Sequence, residues 1–168
     1  LELLLNQAGL SVGDRAVEKQ AHAVAERTGG APAAAIELPD GSVVTGRGAG
    51  IMNPDASAVL NAVKRLAGIA DDIYLLSHII LEPIVRLKKD VLGIAEPVLS
   101  LDEVLLALSI CAATNPVAEL AVKKLTDLRN CQAHASYMLS QSNEVMLSRL
   151  GLQYTCEDSY PNKDLYYV

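Results

Sequence analysis

The sequence predicts an α/β domain, a three-layer sandwich whose mixed sheet combines an antiparallel hairpin with parallel strands between helices. Three observations predict it. Pro39-Asp40-Gly41-Ser42 separates two short strand-like runs, and Asp-Gly supplies the positive φ angles of a tight hairpin. Helical periodicity with clear caps follows the hairpin at several points. The run from Cys131 to Cys156 reads strand, short helix, strand, the pattern of a parallel crossover.

The opening residues read as a helical lead-in over 1–30. Residues 1–8 are helical and stop at Gly9. Ser11 caps a second helix to about Arg27, with Ala16, Val17, Ala21, Val24 and Ala25 as its small-residue stripe, and Thr28-Gly29-Gly30 with Pro32 ends it. The three-layer domain then occupies 31–168. Its hairpin strands are 33–38 and 42–45. Gly46, Gly48 and Gly50 make a flexible exit from the hairpin, not a dinucleotide fingerprint.

Asn53-Pro54-Asp55 opens a helix to Ala67, with Val59, Leu60, Val63 and Leu66 on one face and Gly68 as the stop. Asp72 to Ser77 is expected as a short buried strand, and Ser77 as the cap of a helix to Leu92 that contains Pro83. Ser100-Leu101-Asp102-Glu103 is a capping box. The helix it opens is apolar on nearly every side, which predicts burial within the protein or at an interface. Asn115 caps the next helix with Pro116 at its first position, and Glu119 and Lys123 form an outward pair. Cys131 to Leu139 alternates as a strand. Ser142 caps a helix ending at Gly151, Leu152 to Cys156 is the last strand, and the tail beyond Pro161 is an extension.

Composition narrows the function. Of 168 residues 51% are apolar, yet Trp and Phe are absent, so the core must be aliphatic. A net charge of −6 argues against a nucleic-acid partner, which calls for a basic face. No apolar run reaches the roughly 18 residues of a membrane span, and no secretory leader is visible. Three cysteines, an odd count, read as reduced buried thiols in a cytoplasmic protein. Leu1-Glu2-Leu3-Leu4-Leu5 looks like the end of a helix already under way. The chain is therefore expected to be part of a longer protein. Its expected partners are the remainder of that chain or a second copy.

The element order resembles the cytidine-deaminase-like fold, in which the helix after the hairpin carries His-x-Glu and a strand-helix unit carries Pro-Cys-x-x-Cys. The corresponding places here are Asn53 to Ala58 and Ser77 to Ile80, and neither motif occurs anywhere in the chain. No zinc ligand set is visible, so no metal and no cofactor is expected. Cys131-x-x-His134 is the only local metal-like spacing, and residues three apart on a strand point to opposite faces. His134 reads first as a satisfied strand residue, and second as a ligand contact or general base. His22 reads as solvated. His78 follows an expected strand end. One positive site emerges: helix starts at Asn53, Ser77, Asn115 and Ser140 gathered at the carboxyl ends of the strands, offering N–H groups to a small anion or nucleotide, with His78 and His134 as further candidates. Its competitor is that Ser and Asn simply cap helices well.

The segments DEVLLALSICAATNPVAELAVKKL, AIELPDGSVVTG and LGLQYTCE resemble, in order, the C-terminal part of a family of long cytosolic bacterial proteins of uncharacterised function. The resemblance spans nearly the whole chain. It implies a larger N-terminal part absent here and a three-layer subdomain of deaminase-like topology, and it supplies no catalytic residue or cofactor. The leading expectation is a non-catalytic structural or interaction subdomain that packs through its Leu-rich start and its apolar central helix. The alternative is the small-anion or nucleotide-binding domain, enzymatic only within the full-length protein.

Overall fold

The computed structural model describes residues 16–47 and 51–157. The readings placed on residues 1–15, on Gly48 and Gly50, and on the tail after Glu157 lie outside the described residues.

The described chain runs α1 (Ala16–Arg27), β1 (Ala33–Glu37), β2 (Val43–Arg47), α2 (Pro54–Ala67), α3 (His78–Arg86), α4 (Leu101–Ala112), α5 (Pro116–Lys123), β3 (Gln132–Ala135), α6 (Gln141–Arg149) and β4 (Gln153–Cys156). A wide π turn, Leu87–Val91, prolongs α3, and a 3₁₀ turn, Lys124–Leu128, prolongs α5. The four strands form one mixed sheet in the order β2-β1-β3-β4. Strand β1 is antiparallel to both neighbours, and β3 and β4 are parallel, joined across α6. The hairpin turn forms as its residues dictate. Leu38 N donates to Ser42 O at 2.8 Å, Asp40 Oδ1 accepts from the Ser42 amide at 2.9 Å, and Gly41 takes φ +87°.

Helices cover both faces of the sheet. Because strand side chains alternate, Ala35 faces α1 and packs with Val17, Ala21 and Val43. Ala34, Ile36, Ala133 and Ala135 face the other way, into the larger core with α2, α4, α5 and α6. That core is aliphatic, with Val59, Val63, Leu99, Leu101, Val104, Leu108 and Leu128 all fully buried. Gly46 lets α2 lie directly on β2. A Cβ there would sit 2.3 Å from both the Ala58 nitrogen and the Pro54 oxygen.

Three local expectations need correction. Residues 72–77 form turns rather than a strand: Leu75 and Leu76 plug the core, while Tyr74 is 86% exposed. The strand from Cys131 stops at Ala135 because Ser136 turns back on β1, its amide donating to Ala33 O at 2.8 Å and its hydroxyl accepting from Ala33 N at 2.9 Å. Tyr137 and Leu139 stay buried as loop residues. Ser140, not Ser142, caps α6, accepting from the Asn143 amide at 3.3 Å. Helix α4 buries one side, with Val104, Leu108 and Cys111, while Leu106 and Ile110 are more than half exposed, so of the two expected forms of burial the interface is the one that applies to its outer side. Among the described residues no helix is long and apolar enough to cross a membrane.

Candidate functional site

The helix starts expected to gather at one edge divide into two pairs. Asn53 and Ser140 lie toward the start of α4: Asn53 N donates to Leu99 O at 3.0 Å, and Asn143 in the first turn of α6 accepts from the Leu101 amide at 3.3 Å. Ser77 and Asn115 lie at the other end of α4, where the Ser77 amide meets Cys111 Sγ at 3.5 Å and the Asn115 amide donates to Cys111 O at 2.9 Å. A helix of 12 residues separates the pairs, about 18 Å at 1.5 Å per residue. The four starts therefore do not converge on one anion. Three of the four side chains cap their own helices: Ser77 accepts from Ile79 N, Asn115 from Val117 N and Ser140 from Asn143 N. Asn53 makes no capping bond with its side chain. His78, exposed at the start of α3, lines an open groove of about 380 Å³ with Arg47, Asn61, Lys64 and Tyr74.

The edge shared by α2, α4 and α6 is closed by the protein's own groups. Tyr137 Oη donates to Asp55 Oδ1 at 3.0 Å and lies 3.3 Å from the Asp55 amide, which donates to it. Asp55 is 3% exposed, and its Oδ2 has no hydrogen-bond partner among the described residues. Burial holds its carboxyl above the usual range, although the Tyr137 hydroxyl pulls the other way. Burial, with the Asp55 charge beside it, drives the Tyr137 phenol upward too. Asp55 also borders a cavity of about 10 Å³ among Ala34, Ile36, Leu139 and Leu147, room for about one water.

A second polar cluster lies on the opposite face, under α1. Glu18 and His22 are one helical turn apart on α1. His134 lies opposite Ala35 on β1 and Thr155 on β4, so all three face α1. The ladder continues one step beyond β4, where Glu157 N donates to Ala135 O at 3.2 Å, which turns the Glu157 side chain to the same face. His134 is 3% exposed, with Nδ1 2.7 Å from Thr155 Oγ1 and 3.9 Å from Glu18 Oε1. Its Nε2 is 3.4 Å from Glu157 Oε1, and His22 Nε2 contacts that same oxygen. The two imidazole rings stack with centroids 5.8 Å apart. His134 lies on a strand as expected from the sequence, but no motif in the sequence joins it to His22, Glu18, Thr155 or Glu157. The sequence carries one signal: Glu18 sits beside Val17 on the apolar stripe of α1, where a carboxylate calls for partners. Cys131 takes no part, its Sγ lying 3.6 Å from Asp127 O.

A third feature is apolar. Helix α3 with its π turn runs antiparallel to α4, since Ser77 meets Cys111 at one end and Lys88 meets Glu103 at the other, at 2.8 Å. Ile79, Val91, Leu92 and Leu106 on this pair are 81%, 73%, 61% and 65% exposed.

Residues 13–166 match the family model described as "Domain of unknown function DUF1846, C-terminal". The chain belongs to this DUF1846 C-terminal domain family. Its relatives are UPF0371 proteins. One from Clostridium tetani (strain Massachusetts / E88) is 49% identical over 136 residues, which is 81% of this chain and 27% of that protein. Another from Clostridioides difficile (strain 630) is 47% identical over 143 residues, 85% of this chain and 28% of the relative. A third from Clostridium botulinum (strain Eklund 17B / Type B) is 48% identical over 136 residues, 81% and 27% respectively. The DUF1846 C-terminal domain thus spans about a quarter of the length of the curated relatives it matches, and sits in them within a much longer chain. The expected resemblance to the C-terminal part of a family of long, uncharacterised bacterial proteins is met. The family's description assigns no activity.

Proposed function

We propose that this domain is a non-catalytic interaction subdomain, docked onto the remainder of its own longer chain through the outer face of α3, the π turn and α4. The observation that carries this reading is the set of exposed aliphatic side chains on that antiparallel pair, Ile79, Val91, Leu92 and Leu106. Single exposed apolar residues are ordinary, but several on adjoining elements suit a protein contact. The length of the relatives points to the occupant, since they hold about three times as much chain outside the matched region as within it. Cysteines substituted at Ile79 and Leu106 test the reading. They should react rapidly with a maleimide in this chain alone and slowly in the full-length protein. Equal, fast labelling in both would refute it.

The connectivity supports the finer reading of a deaminase-like topology: hairpin, helix, then two parallel strands joined by a helix, with β1 antiparallel to its neighbours. The strand-helix unit is β3–α6 rather than the stretch at Ser77. The starts of α2 and α6 are the places where such folds carry zinc ligands. Here the Asp55–Tyr137 hydrogen bond occupies that corner. A reducing cytoplasmic setting is supported by three unpaired cysteines.

A second reading, small-anion or nucleotide binding, rests on the groove that Arg47, Lys64 and His78 line. A thermal-shift series with phosphate and nucleotides tests it: stabilisation that disappears in His78→Ala supports the groove, and no stabilisation excludes it.

A further inference from the structure

We propose that His22, His134 and Glu157 form a binding site for one divalent transition-metal ion, zinc being the best chemical match, held between α1 and the end of β4. This departs from the expectation of no metal drawn from the sequence, where the three donors are far apart. In the fold, one ligand atom from each lies within 4.8 Å of the others. Two imidazole nitrogens and one carboxylate oxygen, with a position left for water, are a known zinc donor set.

The surroundings favour coordination in three ways. First, His134 is oriented from behind. Its Nδ1 is 2.7 Å from the Thr155 hydroxyl and 3.9 Å from the Glu18 carboxylate. Hydrogen bonding on that side fixes the ring and leaves Nε2 to face Glu157, the outer support typical of metal-bound imidazoles. Second, both imidazoles aim Nε2 at a single oxygen, Glu157 Oε1. A cation can bridge these three donor atoms in place of the Nε2–H protons that the two rings otherwise offer to the one acceptor. Third, the site pairs a buried wall with an open one. His134 and Glu18 are 3% and 4% exposed at the side chain, while His22 and Glu157 are 52% and 37% exposed. The ion would enter from solvent and keep an exchangeable ligand.

The site is independent of the docking face, since α1 and the α3–α4 pair lie on opposite faces of the sheet. The ion would also tie α1 to β3 and β4, joining elements more than a hundred residues apart in sequence.

The test is titration of the metal-free protein with Co²⁺, followed by its visible absorption, and with Zn²⁺ by calorimetry. One ion per chain should bind and should raise the melting temperature. His22→Ala changes an exposed side chain and Glu157→Ala a half-buried one. Each should leave the circular dichroism spectrum unchanged, whatever its own metal-free melting temperature, while weakening binding by more than about tenfold, the loss seen even for outer partners. Cys156→Ser should bind as the parent does. Absence of stoichiometric binding overturns the proposal. So does binding that survives both alanine substitutions.

Discussion

Tyr137 and Asp55 hold each other twice, the phenol donating to the carboxylate at 3.0 Å and accepting from the Asp55 amide at 3.3 Å. The pair joins the loop after β3 to the first turn of α2, and burial keeps the carboxyl protonated to higher pH than usual. An acid whose folded pKa is raised contributes stability below its unfolded value, about 3.9 for Asp, and loses it as pH rises through the folded value. Replacing Asp55 with Asn removes this titration. Urea unfolding at pH 4 and pH 8 should show Asp55→Asn gaining on the parent as pH rises; a flat or narrowing gap would contradict this. Tyr137→Phe leaves the buried Asp55 without its donor and should cost about 1–3 kcal/mol.

Glu103 titrates in the opposite sense. Its partial burial pushes the carboxyl up, but hydrogen bonds from Lys88 at 2.8 Å and from Ser100 outweigh it, so its pKa is lowered. A lowered pKa contributes stability above the unfolded value, about 4.3 for Glu, and that stability disappears as pH falls through the folded value. Glu103→Gln should therefore be less stable than the parent by about 1 kcal/mol at pH 7, as for a lost cap with one partly exposed ion pair. The deficit should close in acid.

Gly46→Ala tests the contact between α2 and β2. The new methyl meets backbone atoms at 2.3 Å, so α2 must lift from the sheet. The cost should be about 3 kcal/mol, at the upper end for overpacking. Thermal unfolding measures it, and a change below about 0.5 kcal/mol, typical of open surface, would show that the helix is not seated there.

Lysine at Ile79 or Leu106 should change the unfolding free energy of the chain alone by less than about 0.5 kcal/mol, because both side chains face solvent. The same substitutions should destabilise the full-length protein measurably. Equal tolerance in both would mean the face is never covered.

Much of this architecture was legible along the chain because punctuation residues set it. Asn53-Pro54, Ser100 with Glu103, and Asn115-Pro116 mark helix starts by local chemistry, and Asp40-Gly41 marks the hairpin. The strand expected at Asp72 failed because a four-residue apolar run does not show whether a neighbouring strand exists to pair with it. Alternation overextended β3 for a related reason: Tyr137 and Leu139 are buried at strand-like spacing, but Ser136 bonds back to Ala33 and ends the ladder. The His22, His134 and Glu157 cluster was not legible, since only the register Ala35–His134–Thr155 under α1 brings the three together. Separation of the helix starts into two pairs likewise depends on the path of α4, which no cap encodes.

Strand β1 finds its β3 partner very late along the chain, with Ala33 bonding Ser136 across 103 positions. While a ribosome is still producing the stretch between them, the hairpin has β2 on one side and bare amides on the other. Three consecutive alanines give that exposed rim little intrinsic preference for extended structure. The nascent hairpin should therefore be a transient and chaperone-accessible species, locked only when the residues around His134 emerge to zip against it.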